Sequence, residues 1–278
     1  MLNCLPRTIM WGEHNGALKP LLSSYSRLRN VADNKFVARA ANLLQPVYDR
    51  EPILSKPGMS IEWLNWFSGA DIDKVYRECI TGLFYPDAAR QRFSRWGFKE
   101  IQYREEELHL LRKLFPDMRT IILYRNPAAV FASQFKHFAR SDGERIPKIL
   151  KNIEGYYMFA AQQASEMSAA ENPPLLISYE EIVGDFDASV LKLEGFLDEK
   201  FSSAIAELGQ DIKRFCNRRN ATGWKGSPLE DFKTWQAATK MRLPPKKLQL
   251  IAGYYDTLVN TTMASPEAGT ELAASPGG

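Results

Sequence analysis

Cysteine, long apolar runs and an excess of charge of one sign are all scarce in this chain. The three cysteines, Cys4, Cys79 and Cys216, are scattered and odd in number. That argues against a disulfide scaffold, and without metal-ligand spacing no metal site is expected. No apolar run is long enough to cross a membrane and no signal-peptide pattern opens the chain, so the expectation is a protein of the reducing cytoplasm with no membrane segment. A net charge of +3 is too mild for general nucleic-acid binding, though a local basic pocket for a polyanion remains compatible with it. There is no internal repeat.

A phosphate-cradling glycine loop is also missing. Neither Gly-x-x-x-x-Gly-Lys-Ser/Thr nor Gly-x-x-Arg-Ser-Gly-Thr occurs. Ser55-Lys56-Pro57-Gly58 and Gly223-Trp224-Lys225-Gly226 have related composition, but the order is wrong and no strand precedes them. A mononucleotide site built on a Walker loop with Mg²⁺ therefore has little to rest on.

What is present centres on residues Met118 to Ser133. Thr120 to Tyr124 is a short apolar run with β-branched residues, which suits a strand buried on both faces of a parallel sheet. Arg125 follows at the carboxyl end of that strand, then Asn126 as a helix cap and Pro127 at the first helical position. Ala128 to Phe138 continues as a helix without glycine. Arg125 thus falls where open α/β folds bind ligands. Ser133, about two turns into the helix, offers a hydroxyl beside the guanidinium fork for one phosphate. An ordinary strand-helix unit whose arginine caps a carbonyl satisfies the same spacing.

The other elements follow from periodicity. Arg7 to Trp11 reads as extended, Ala17 to Leu28 and Asp33 to Leu44 as helices, and Asp71 to Phe84 as another. The aromatic stretch Ile61 to Phe67 suits either helix-helix core or an acceptor pocket. Trp96, Phe98 and Ile101 support a strand within Arg95 to Ile101, and Glu105 to Phe115 is an amphipathic helix, acidic at its start and basic at its end. Ile146 to Ala170 reads as a long helix stopped by Asn172-Pro173-Pro174, Leu175 to Ile182 as a buried strand running into a turn, Asp187 to Phe196 as a helix, and Pro244 to Val259 as the last helix with Tyr254 and Tyr255 inward. Residues 1–262 are expected to form one α/β domain, and 263–278, poor in apolar anchors, a disordered tail.

Arg125-Asn126-Pro127 with Ser133 at this spacing resembles the 3′-phosphate-binding motif of PAPS-dependent sulfotransferases. These enzymes move a sulfonyl group from 3′-phosphoadenosine-5′-phosphosulfate (PAPS) to a hydroxyl or amine. Leu175 to Ile182 is similar to the family strand followed by Tyr-Glu-Asp/Glu-Leu/Ile, and Arg95 to Lys99 to the family strand that ends in a lysine. The resemblance runs from about Trp11 to Phe196 with its motifs in family order.

It implies a P-loop-kinase-like fold: a parallel sheet flanked by helices, with further helices on the acceptor side. Arg125 and Ser133 would hold the 3′-phosphate, Tyr179 would lie beside the adenine, and Arg219 in a late basic loop would close over the phosphate. Lys99 would neutralise the leaving oxygen, and Glu13, with His14 as the alternative, would take the acceptor's proton. PAPS is then the co-substrate, PAP its product, and a hydroxyl-bearing small molecule or glycan the acceptor.

In the family a strand and a phosphosulfate loop come before the position of Trp11, so the chain is expected to be N-terminally incomplete. As given, it should be a poor catalyst with an uncovered sheet edge. The rival expectation is a non-catalytic relative that binds a nucleotide or a partner.

Overall fold

A computed structural model describes residues 1–33, 68–138, 145–166, 172–218 and 227–264. The helix expected from Asp33 to Leu44, the aromatic stretch Ile61 to Phe67, and Arg219 with its glycine-containing loop lie outside the described residues. The chain divides into two compact units, one spanning Arg7–Met118 and the other Met1–Pro6 with Arg119–Gly278.

In the first unit, β1 (Thr8–Trp11) pairs in parallel with β2 (Arg95–Phe98), from Thr8 opposite Arg95 to Trp11 opposite Phe98. A Cβ at Gly97 would come within 2.7 Å of Met10 Sδ, so a side chain there would require the flexible Met10 thioether to move aside. The connection between the strands is helical. Helix α1 (Lys19–Ala32) opens with Pro20 in its first turn, a position that needs no N–H donor. Ser68 and Asp71 form a reciprocal capping box at the start of α2 (Gly69–Phe84), each satisfying the other's backbone donor. After the short α3 (Asp87–Arg90) and β2 comes α4 (Glu105–Leu114), whose first turn holds three glutamates and whose last turn holds Arg112 and Lys113. The main-chain N–H of Arg104 donates to Glu107 Oε2 at 2.8 Å, and Arg77 Nε donates to the Leu114 carbonyl at 2.8 Å, so each end of α4 gains a side-chain partner. Leu22, Tyr25, Ile72, Ile80, Leu111 and Leu114 form the core of this unit. Each such side chain, fully buried, contributes about 1.5–3 kcal/mol.

In the second unit, β3 (Ile121–Tyr124) runs parallel to β4 (Leu175–Ser178), with Tyr124 opposite Ser178. Burial on both faces was expected of β3, but only the face of Ile122 and Tyr124 is buried; on the other, Leu123 is 47% exposed among the described residues. Helix α5 (Pro127–Phe138) leaves β3 as expected, and α6 spans Ile146–Ser165, with residues 167–170 of the expected helix outside the described residues. Ser178 caps α7 (Tyr179–Gly184), Asp185 caps α8 (Phe186–Leu197), and α9 (Ala204–Arg218) follows. Helix α10 (Pro228–Thr239) packs Phe232 and Trp235 on Phe131 of α5, with ring centroids 6.0 and 4.8 Å apart. Helix α11 (Pro245–Ala264) lies against α6 and continues beyond Val259, the end expected from the pattern.

The architecture is thus α/β, with short parallel strand pairs flanked by helices, in keeping with a P-loop-like fold. In each unit, the residues just past the carboxyl ends of the strands are those that sequence reasoning had picked out. Among the described residues no helix is long and apolar enough to cross a membrane.

Candidate active site

Past the ends of β1 and β2, the chain brings two of the expected groups together. Lys99 Nζ donates to Glu13 Oε1, and the main-chain N–H of Lys99 donates to the Trp11 carbonyl at 3.0 Å, continuing the strand ladder by one step. The parallel register explains the meeting: Trp11 lies opposite Phe98, so the residues that follow leave the pair side by side. The side chains are 63% and 34% exposed, which makes this a solvated surface pair worth about 0–1 kcal/mol.

His14 is placed quite differently from its neighbour. Its ring lies among Phe84, Phe98 and Tyr103, at centroid distances of 5.2, 5.0 and 5.6 Å. Nε2 is 3.5 Å from the Tyr103 hydroxyl, and Nδ1 is 3.1 Å from Glu100 Oε2, close enough for an ion pair but off the line of a hydrogen bond.

Glu100 organises this corner. Oε2 accepts from the Gly16 N–H at 2.7 Å, while Oε1 accepts from Ile101 and Gln102 at 2.8 and 3.0 Å. Burial pushes its carboxyl up, but the three backbone donors and His14 outweigh that and hold it below the ordinary value. Burial, with Glu100 and Glu107 adding to it, pushes the Tyr103 hydroxyl well up, so it stays protonated.

The second group sits past the ends of β3 and β4. The Arg125 guanidinium carbon lies 4.5 Å from the centroid of the Tyr179 ring, a cation–π stack between the residue after β3 and the residue after β4. Among the described residues no carboxylate pairs with Arg125. Its carbonyl accepts from the Tyr157 hydroxyl. Asn126 caps α5 as expected: Oδ1 accepts from Ala128 and Ala129 at 2.9 and 3.4 Å. Its own N–H donates to Glu180 Oε1 at 3.0 Å, and its side-chain amide donates to Asp231 Oδ2 at 2.7 Å. Ser133 is exposed on α5, and its hydroxyl makes no bond to Arg125 or to any other described residue.

The structure thus joins Glu13 with Lys99 and Arg125 with Tyr179, sets His14 in an aromatic enclosure, and leaves Ser133 unengaged among the described residues. Arg219 is outside the described residues. Glu100, Tyr157 and Asp231 carry no signature in their sequence neighbourhoods, since their partners are gathered by the fold.

A sulfotransferase family model matches residues 18–203, well over half of the chain. The chain belongs to the sulfotransferase family. Among curated proteins none matches it. Sulfonyl transfer is the chemistry of that family. The matched stretch of this sulfotransferase contains Lys99, Arg125, Ser133 and Tyr179, whereas Glu13 and His14 precede it and Asp231 follows it. Among the described residues of the sulfotransferase, no three His, Cys, Asp or Glu side chains are gathered to hold a metal ion.

Proposed function

We propose that this sulfotransferase moves a sulfonyl group from PAPS to a hydroxyl (or amine) of a small-molecule or glycan acceptor. The observation that carries the reading is Arg125, an arginine stacked on Tyr179 at the mouth of a parallel strand pair and left without a carboxylate partner among the described residues. A guanidinium held in that way has its planar donor fork available for a phosphate. Arg125 takes the 3′-phosphate, assisted by the exposed Ser133 hydroxyl, and Tyr179 lies beside the adenine. Arg219 is assigned to the same phosphate through the family resemblance alone.

Glu13 is assigned as the base in preference to His14. One Glu13 oxygen is bound by Lys99, and the other has no partner among the described residues. The His14 ring is walled in by three aromatic rings and Glu100. In the reaction the acceptor hydroxyl loses its proton to Glu13 as its oxygen forms a bond to sulfur. The sulfur–oxygen bond to the 5′-phosphate breaks, and the electron pair leaves on that phosphate oxygen, where the Lys99 ammonium stabilises the charge. The products are the sulfated acceptor and PAP.

The test is calorimetric titration of Arg125→Ala with PAP and with adenosine 5′-phosphate. The reading expects PAP binding to weaken by about tenfold or more, the scale of a charge-assisted pair, with adenosine 5′-phosphate hardly changed. Equal loss for both nucleotides removes Arg125 from the phosphate site.

A further inference from the structure

The elbow between β3 and α5 is held from three helices at once. Tyr157 of α6 bonds the Arg125 carbonyl, Glu180 of α7 bonds the Asn126 N–H at 3.0 Å, and Asp231 of α10 bonds the Asn126 amide nitrogen at 2.7 Å. Asn126 is 2% exposed and Asp231 7%, so this last bond is made out of water.

The chemistry of the partners allows the Asn126 amide only one orientation. Its oxygen faces the Ala128 and Ala129 N–H groups, which can only donate, and its nitrogen faces a carboxylate, which can only accept when ionised. Turning the amide over would set donor against donor and acceptor against acceptor. Asp231 therefore selects the rotamer in which Asn126 caps α5, and the cap fixes the backbone from which Arg125 projects. Asp231 itself sits in the first turn of α10, where the positive end of the helix dipole offsets part of the cost of burying a carboxylate.

We infer that Asp231 is a positioning residue for 3′-phosphate recognition: through the Asn126 amide it sets the direction of the Arg125 guanidinium. The inference rests on the assignment of Arg125 to the 3′-phosphate. Asp231 lies beyond the stretch matched by the family model, so the match says nothing of it. A purely structural Asp231 would alter stability, or the binding of every nucleotide alike. A positioning Asp231 alters the preference for a 3′-phosphate.

The experiment is calorimetric titration of the full chain with PAP and adenosine 5′-phosphate, for wild type, Asp231→Ala, Asp231→Asn and Arg125→Ala. Asp231→Ala is expected to lower the preference for PAP by about tenfold while leaving adenosine 5′-phosphate within about twofold, the scale of a lost buried bond to a charged group. Asp231→Asn keeps an acceptor oxygen for Asn126 and retains the preference.

If Arg125→Ala abolishes the preference and Asp231→Ala keeps it, or loses both nucleotides equally, the inference is overturned and the phosphate assignment stands. If Arg125→Ala keeps the preference, the phosphate assignment fails and the inference fails with it. Should Asp231→Ala not fold, Asn126→Asp is paired with Asn126→Asp/Asp231→Asn, which restores the bond with donor and acceptor exchanged. Recovery of the preference in the double variant supports the inference, and no recovery overturns it.

Discussion

The Lys99 ammonium and the Glu13 carboxylate are bound to each other, so the candidate leaving-group stabiliser and the candidate base form one ion pair at the ends of β2 and β1. Both side chains keep substantial exposure, so the pair is screened by solvent and contributes little to stability. Its worth lies in position: the ammonium holds one carboxylate oxygen, which orients the other.

Catalysis should therefore separate from folding at this corner. Glu13→Gln is expected to lower turnover by about a hundredfold or more, the usual size of a lost general base, with the unfolding midpoint little changed. Lys99→Ala should likewise reduce turnover and leave the fold intact. His14→Asn, which removes a ring packed against three others, should do the reverse and cost stability first. Transfer of labelled sulfonyl groups from PAPS to a panel of hydroxyl acceptors, alongside urea unfolding, distinguishes these outcomes. A His14 variant that folds normally but loses turnover reverses the assignment of the base.

Acid should weaken the first unit through Glu100. Its folded-state carboxyl lies below the ordinary 4.5, so its contribution is complete above that value and is lost as pH falls through the lower folded value. Unfolding midpoints measured from pH 7 down to about pH 3 should drop less steeply for Glu100→Gln than for wild type over the acid part of that range. Parallel curves would mean that Glu100 is not held ionised by the Gly16, Ile101 and Gln102 donors.

Two glycines should respond with opposite signs to the same substitution. Gly16 has φ +70°, and a Cβ there would lie 3.0 Å from Gln102 Oε1, so Gly16→Ala should cost about 1 kcal/mol and disturb the turn that carries His14. Gly82, within α2, has no described atom within 4 Å of where its Cβ would be, so Gly82→Ala should add up to about 1 kcal/mol through helix propensity. Denaturant titration reads both, and a stabilising Gly16→Ala would show that the turn relaxes.

The sequence showed the local grammar of the fold more readily than its long-range contacts. Asn126 and Pro127 mark the start of α5 because capping is a matter of adjacent residues, and the apolar runs at Ile121–Tyr124 and Leu175–Ser178 mark strands for the same reason. Lys99 could be placed at a strand end, yet its bond to Glu13 depends on the parallel register of β1 and β2. Glu100 reads in the sequence as one more charged residue, since its partners are three backbone N–H groups and a ring gathered by the fold. The bond from Asn126 to Asp231 spans 105 positions of chain, and no periodicity carries information that far. The exposure of Leu123 was hidden as well, because an apolar run does not show which of its faces is covered.

The most direct measurement for the account as a whole is the affinity of the wild-type chain for PAP against adenosine 5′-phosphate, which differ only in the 3′-phosphate. With Arg125 turned to that phosphate, PAP should bind about tenfold more tightly or better, and added salt should erode the advantage. Equal affinities for the two nucleotides, at low and at high salt, would contradict a PAPS-dependent transfer built on Arg125.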